Sequence, residues 1–193
     1  MKKQFIISES IIYISFLIMD LLKINSDYIK YIGIVLCFLY AIYNKKKYQI
    51  ISMLFTLVAD YFLLLKLDHY EMGVTSFIFA QITYYYFLGN IDKSYFNVFL
   101  FIRGFIIIVG TLLLDITSNL TLLNELVLIY FSSLVFNCIQ AYLIHNKVFA
   151  IGLTLFVCCD ICVGLFNINA ANSLAAFLMW FFYLPSQVLI VLS

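Results

Sequence analysis

Charge, proline, glycine and histidine are all scarce in this chain of 193 residues. Only 11% of the residues are charged and 65% are hydrophobic, whereas a soluble domain is about 25% charged and about 45–50% apolar. One proline and seven glycines leave little material for long loops or linkers. The composition therefore excludes an ordinary soluble domain and predicts a single membrane-embedded domain over residues 1–193.

The shortage of charged and metal-binding side chains argues against nucleic-acid binding and against metal-dependent catalysis. A formal net charge of +1 gives no basis for binding nucleic acid. The two histidines, His69 and His145, fall in polar breaks predicted at opposite faces of the membrane, which argues against a histidine-bound zinc hydrolase. Cys159 and Cys162 have a C-x-x-C spacing, but zinc needs four ligands, so we predict no metal and no cofactor. All five cysteines lie in apolar segments, where a disulfide scaffold is not expected.

Long apolar runs separated by short polar breaks fill the chain. We count eight of them, at residues 5–22, 28–43, 50–67, 73–89, 95–114, 121–143, 148–167 and 173–192. The first run follows a basic start but lacks the small-x-small cleavage site of a signal peptide, so we interpret it as the first span. Because backbone polar groups in hydrocarbon must be satisfied internally, the runs predict helices. The predicted fold class is all-α, a polytopic membrane helix bundle of eight transmembrane helices.

Lysines predict how this bundle is oriented. With the N-terminus inside, the inner side holds seven lysines and the outer side holds three. The inner set is Lys2, Lys3, Lys45, Lys46, Lys47, Lys93 and Lys147, and the outer set is Lys23, Lys30 and Lys66. By the positive-inside rule, we predict a multi-pass protein of the cell membrane with both termini in the cytoplasm. Asp20, near the outer end of the first segment, is expected to reach the membrane interface.

Two aspartates lie deep inside apolar segments, Asp60 in residues 50–65 and Asp160 in residues 148–166. A carboxylate at the centre of a membrane helix costs about 2.5–3.5 kcal/mol on insertion scales unless it faces a partner or a wet cavity. Their positions along the two segments differ by only about 3 Å in depth, so they can meet if the helices are neighbours. Alternatively, each only joins helices through hydrogen bonds, which average about 0.6 kcal/mol in such bundles.

Other polar groups at membrane depth have two interpretations each. Arg103 suits bidentate binding of a lipid phosphate or of one of the aspartates, or it extends to the headgroup region. Gln81, Asn137 and Gln140 favour interhelical hydrogen bonds over ligand binding. Trp180 lies well inside the last segment, which favours packing or cavity lining.

Three stretches resemble the YhhN family of membrane proteins, whose members include lysoplasmalogenases. The first, LFTLVADYFLLLKLDHYEMGVTSFIFAQITY, is similar to that family's aspartate-containing helix and the helix after it. Its matching residues are Phe55, Asp60, Leu63, Gly73, Phe77, Ala80 and Tyr84. The second, GLTLFVCCDICVGL, matches at Gly152, Phe156 and Asp160, and the third, FFYLPSQVLIVLS, at Tyr183, Gln187 and Ser193. Departures from the family pattern occur at Ala59, Cys159, Gln81 and Tyr31.

The resemblance implies eight spans and hydrolysis of the vinyl ether of a lysoplasmalogen, a membrane lysophospholipid. One aspartate would donate a proton to the vinyl carbon, and the other, ionised, would stabilise the oxocarbenium ion and activate water, as in an inverting glycosidase. The sequence leaves open which aspartate has which role. Candidate catalytic residues are Asp60 and Asp160, and candidate substrate-binding residues are Gln81, Tyr84, Arg103, Tyr183 and Gln187.

Three other functions would use the same buried aspartates. A small-solute or proton-coupled transporter also places carboxylates at the membrane midplane. A non-catalytic scaffold or immunity-type membrane protein would keep them for helix packing alone. A lipid-binding protein without turnover would share the site but not the chemistry.

Overall fold

The computed structural model describes residues 2–66, 69–168 and 173–193, and the regular structure in these ranges is helical. The helices are α1 (Lys2–Leu21), α2 (Asp27–Tyr43), α3 (Lys47–Asp60), α4 (Tyr70–Ile91), α5 (Phe96–Ile116), α6 (Leu122–Leu143), α7 (Lys147–Ile168) and α8 (Ser173–Leu192). A π-helical turn, Tyr61–Leu65, continues α3. The all-helical prediction is confirmed. The predicted end of the third segment, residue 67, lies outside the described residues.

Six of the described helices are long and apolar enough to cross a membrane: α1, α3 with its π-helical turn, α5, α6, α7 and α8. This number makes the chain a multi-pass membrane protein by length and composition. The remaining two are α2, which has 17 residues, and α4, in which eleven residues are buried, four of them Ser76, Gln81, Thr83 and Tyr84. A helix enclosed by other helices need not be apolar on every face.

Six helices form a closed ring in the order α2, α3, α4, α6, α7 and α8, with α8 packing back onto α2. The other two lie outside it, since α1 packs on α2 and α8, and α5 packs on α6. The outer helices expose apolar side chains such as Ile11, Phe101 and Ile108, which suits contact with lipid. The interior of the ring combines apolar residues with many buried polar ones, so it holds both the core and the candidate site.

The proline inside α8 links α8 to α1. Pro185 has no backbone N–H, so the carbonyl of Phe181, four residues earlier, loses its helical donor. The hydroxyl of Tyr13 on α1 donates to this carbonyl at 3.0 Å. The freed acceptor is therefore satisfied, and the helix continues through Pro185 to Leu192.

Lys30, counted among the outer lysines, has a different environment from the one expected of a loop lysine. Lys30 lies within α2, is 6% exposed and forms an ion pair with Asp20 at 3.0 Å. Asp20, at the end of α1, also accepts a hydrogen bond from Ser26 at 2.5 Å, so its carboxyl group joins the end of α1 to the start of α2. Lys30 is therefore removed from the lysines counted by the positive-inside rule, which leaves seven on the inner side and two on the outer side.

Candidate functional site

Asp60 is the last residue of α3 before the π-helical turn. Its side chain is 4% exposed and accepts the Tyr183 hydroxyl on both carboxylate oxygens, at 2.8 and 2.7 Å. The hydroxyl carries one hydrogen, so the two contacts share a single donor. The π-helical turn follows directly, where the N–H of Lys66 bonds the carbonyl of Tyr61 at 3.0 Å. Such turns are frequent at functional sites in helices.

Asp160 lies on α7 and is more accessible than Asp60. The Tyr130 hydroxyl of α6 is close enough to its carboxyl group to interact electrostatically. Their contact falls short of hydrogen-bond geometry, so Asp160 Oδ2 and the Tyr130 hydroxyl are both buried without a hydrogen-bond partner among the described residues. Asp60 thus accepts a hydrogen bond from a tyrosine, whereas Asp160 keeps an oxygen without a hydrogen-bond partner among the described residues.

Aromatic rings connect the two carboxyl–tyrosine pairs. The Phe77 ring stacks on that of Tyr130, with centroids 5.4 Å apart, and meets that of Tyr183 edge-on at 6.4 Å. Phe156 contacts the same two tyrosine rings at 6.3 and 5.4 Å, and Trp180 packs on Tyr183 at 5.2 Å. These interlocked rings hold both tyrosines in place, because each is contacted from more than one side.

Both aspartates line one cavity of about 440 Å³. Its walls come from α3, the π-helical turn, α4, α6, α7 and α8. The cavity extends from the buried Asp60 to the exposed Tyr70 and Asn167, at the end of the bundle where α4 begins and α7 ends. None of its described lining residues is basic, and apart from the carboxyl groups most are aliphatic or aromatic.

The two helices that bear the aspartates, α3 and α7, are not packed against each other. The sequence predicted that the aspartates could meet only if these helices were neighbours, and this condition is not needed. In the ring α3 is flanked by α2 and α4, and α7 is flanked by α6 and α8. Asp60 and Asp160 instead face the same space from opposite sides of the ring. The cavity between them provides room for a substrate, which direct helix packing would have filled.

The five candidate substrate-binding residues separate into two groups. Tyr183 lines the cavity, whereas Gln81, Tyr84, Arg103 and Gln187 do not. Gln187 is buried and its amide nitrogen donates to Ser186 at 3.3 Å. Tyr84 is also buried, and its ring packs edge-on against Phe149 at 5.3 Å.

Gln81 and Arg103 belong to a separate polar cluster with Asn137. The Asn137 amide nitrogen donates to the side-chain and backbone oxygens of Gln81, both at 2.9 Å, which agrees with an interhelical hydrogen bond. Arg103 donates from Nη2 to Asn137 Oδ1 at 2.6 Å and lies over the Tyr85 ring at 4.4 Å. Of the alternatives for Arg103, pairing with one of the two aspartates is therefore not found among the described residues.

The described residues contain no cluster of three or more histidine, cysteine or carboxylate side chains placed to hold a metal ion. All five cysteines are free thiols, and Cys159 lines the cavity beside Asp160.

Sequence reasoning missed three buried groups. Tyr130 occupies an unremarkable position in an apolar segment, and only the fold places its hydroxyl beside Asp160. Glu9 is 2% exposed on α1, where its carboxyl accepts the Cys37 thiol at 3.5 Å. Lys30 is counted among the outer lysines, although the acid ten residues earlier is a signal for a pair across the α1–α2 turn.

The fold and the cavity define a multi-pass helical membrane protein with two carboxyl groups on one buried, aromatic-lined space. The chain belongs to the YhhN family, whose family model matches residues 25–193, from just before α2 to the last residue. The resemblance recognised in the sequence is thereby confirmed. No curated protein and no solved structure matches the chain.

Proposed function

We propose that this protein is a membrane-embedded hydrolase of the lysoplasmalogenase type, which cleaves the vinyl ether of a single-chain lysophospholipid. The observation that carries the proposal is the placement of Asp60 and Asp160 on opposite walls of one apolar cavity. Family membership supports the same reaction class. An apolar wall suits a hydrocarbon chain. Because no described lining residue is basic, the phosphate headgroup stays at the cavity mouth.

The two aspartates have different roles in this proposal. Asp160 has an oxygen without a hydrogen-bond partner, so it presents the proton to the vinyl ether. Asp60 accepts the Tyr183 hydroxyl, an arrangement that suits an ionised carboxylate, and it acts as the base. Acid and base catalysis by two carboxyl groups flanking a small bond is the logic of an inverting glycosidase.

The reaction then balances in three steps. The Asp160 proton adds to the vinyl carbon distant from oxygen, which leaves an oxocarbenium ion. Water adds to this ion and loses a proton to Asp60, giving a hemiacetal. The hemiacetal collapses to a fatty aldehyde as Asp60 protonates the departing glycerol oxygen and Asp160 takes the hydroxyl proton. Both carboxyl groups return to their starting states, so no cofactor is consumed.

The proposal also includes the membrane arrangement. All eight helices span the cell membrane, with α2 and α4 as members of the ring, and both termini face the cytoplasm. The support is the lysine distribution of seven against two, since Lys30 is paired inside the bundle.

Asp60→Asn and Asp160→Asn test the chemistry. Each change keeps size and hydrogen bonding but removes the titrating group, and acid or base catalysis contributes about 10²–10⁴-fold. We expect either variant to lower aldehyde release from a lysoplasmalogen in detergent micelles by at least about a hundredfold. Asp115→Asn, at an exposed position near the end of α5, is the matched control and should retain full activity.

Two results would reject this function. If Asp60→Asn and Asp160→Asn both fold normally and hydrolyse the lipid at the wild-type rate, the two carboxyl groups have only a structural role. An inactive wild type across several lyso-ether lipids, combined with gradient-dependent solute uptake lost in Asp60→Asn, would favour transport by the same carboxyl groups.

A further inference from the structure

A second polar site lies outside the cavity, around Arg103 of α5. This helix is peripheral to the ring, and only Phe99 and Arg103 are buried on it. Arg103 is 7% exposed. It is the eighth residue of α5, so its backbone lies about 10 Å from the start of the helix. The Arg103 side chain can therefore extend towards the start of α5, where a lipid headgroup could approach it.

The Arg103 guanidinium has only uncharged partners in the described chain. It donates to Asn137 Oδ1 at 2.6 Å and stacks over Tyr85 at 4.4 Å. Its Nε is buried and unpartnered. Among residues 2–66, 69–168 and 173–193, the ion pair of Lys30 with Asp20 is the only one, so Arg103 has no carboxylate there. A buried cation without a counter-charge is unfavourable in a membrane unless an anion joins it.

Neighbouring amides leave more hydrogen-bonding capacity unused. Asn137 directs its nitrogen to Gln81 and its oxygen to Arg103, so its orientation is set. The side-chain nitrogen of Gln81 is buried without a partner. Together with Arg103 Nε, it gives this cluster two buried donors without acceptors. A surplus of donors beside a positive charge is the requirement for binding an oxyanion.

This cluster is distinct from the cavity with the aspartates. None of Gln81, Tyr85, Arg103 or Asn137 lines that cavity. Asn137 is seven residues from Tyr130 along α6, which is about 10 Å. The two sites therefore lie at different depths of the same α4–α6 contact.

We propose that Arg103, oriented by Asn137 and assisted by the side-chain nitrogen of Gln81, binds the phosphate oxyanion of an anionic phospholipid headgroup. The planar guanidinium matches the geometry of phosphate oxygens. The ligand is a lipid because α5 lies outside the helix ring, where its other side chains face the membrane. Closure of the site by a lipid supplies the counter-charge that the chain does not provide.

The test is thermal unfolding in neutral detergent micelles doped with phosphatidylglycerol, phosphatidylcholine or, separately, inorganic phosphate. We expect phosphatidylglycerol to raise the unfolding temperature of the wild type. Arg103→Gln should weaken the apparent affinity for that lipid by about tenfold or more, because it removes charged hydrogen bonds. Lys93→Gln is the matched control, since Lys93 is an exposed cation in the turn before α5. Its response should equal that of the wild type.

Several outcomes would overturn the proposal. If phosphatidylglycerol stabilised Arg103→Gln and Lys93→Gln equally, the lipid would be attracted by the overall charge of the protein and not bound by Arg103. Inorganic phosphate that reproduces the full Arg103-dependent shift would exclude the lipid. If Arg103→Gln does not fold, Arg103→Lys replaces it, because lysine keeps the charge but lacks the planar guanidinium donors. A wild-type response to phosphatidylglycerol in Arg103→Lys would show that the guanidinium does not bind the phosphate. Asp60→Asn should keep the lipid response, so failure of the hydrolase proposal is distinguishable from failure here.

Discussion

Tyr183 and Tyr130 stand in matching positions beside the two aspartates, but only Tyr183 forms a hydrogen bond. A hydrogen bond to a charged group contributes about 1.5–3 kcal/mol. Tyr183→Phe keeps the ring that packs on Phe156 and Trp180 but leaves the Asp60 carboxylate without its donor. We expect aldehyde release to fall by about tenfold or more, measured as kcat at saturating lipid.

Tyr130→Phe is the control for that change. Its hydroxyl has no hydrogen-bond partner, so its removal should alter kcat less than the removal of the Tyr183 hydroxyl. A larger loss in Tyr130→Phe than in Tyr183→Phe would reverse the proposed roles of Asp60 and Asp160.

The Lys30–Asp20 ion pair provides a test of stability at the same scale. Lys30 lies over the Trp180 ring at 5.0 Å, so the pair is packed against a cavity residue. Lys30→Met leaves a mostly buried carboxylate uncompensated, which should cost about 3 kcal/mol. In unfolding experiments in detergent, the added change Asp20→Asn should restore part of this loss. Additive effects of the two changes would show that the pair contributes no coupling energy.

Residues differ in how far the sequence alone predicts their positions. Asp60 and Asp160 are recognisable in the sequence because a carboxyl group inside an apolar membrane segment is energetically costly and usually functional. Tyr130 gives no such signal, because its environment depends on which helices the fold brings together. Glu9 is also an acid in an apolar segment, residues 5–22, but only the packing of α1 on α2 places it beside Cys37. The lysine count placed Lys30 at the surface for the same reason, since its partner Asp20 belongs to another helix.

At the scale of elements, α4 packs against the π-helical turn at Gly73. A Cβ at this glycine would lie 2.5 Å from Leu63 Cγ, and Leu63 lines the cavity. Gly73→Ala therefore displaces Leu63 or separates the two elements. We expect a loss of about 1–3 kcal/mol in stability, as for other overpacked positions, together with reduced lipid hydrolysis.

Gly104→Ala is the matched control for this prediction. A Cβ at Gly104 meets nothing within 4 Å, so alanine should leave stability unchanged or raise it by about 0.5–1 kcal/mol through helix propensity. If Gly73→Ala were as stable and as active as Gly104→Ala, the close contact at Leu63 would have no functional consequence.

Helix boundaries were predictable, whereas helix neighbours were not. Polar breaks and apolar runs define where a helix begins and ends, because only the local sequence must satisfy the backbone. The π-helical turn after Asp60 has no comparable signal in the letters YFLLL. The sequence also does not specify that α3 and α7 face each other across a ring, since this depends on the packing of all six members.

At the scale of the whole molecule, the ring encloses buried polar groups within an apolar core, and its outside is apolar. The peripheral helices α1 and α5 have few buried residues. The two helices that are not recognised as spans both lie within the ring, α2 because it has only 17 residues and α4 because it is less apolar. The protein contacts of α4 account for its lower apolar content, so length and apolarity identify six spans among the described helices, whereas the runs of the sequence predict eight. A helix whose neighbours are protein is not selected for contact with lipid.

The orientation of the whole bundle is the last prediction. Cytoplasmic loops carry an excess of lysine, and with Lys30 paired inside the bundle the exposed outer lysines are Lys23 and Lys66. Reporter fusions after Lys47 and after Ser193 should therefore both give a cytoplasmic signal, and one after Lys23 an external signal. The fusion after Ser193 depends on α2 and α4 both spanning, because loss of one span reverses everything that follows. An external signal after Ser193 with a cytoplasmic signal after Lys47 would place an odd number of spans between them and reject the eight-helix arrangement.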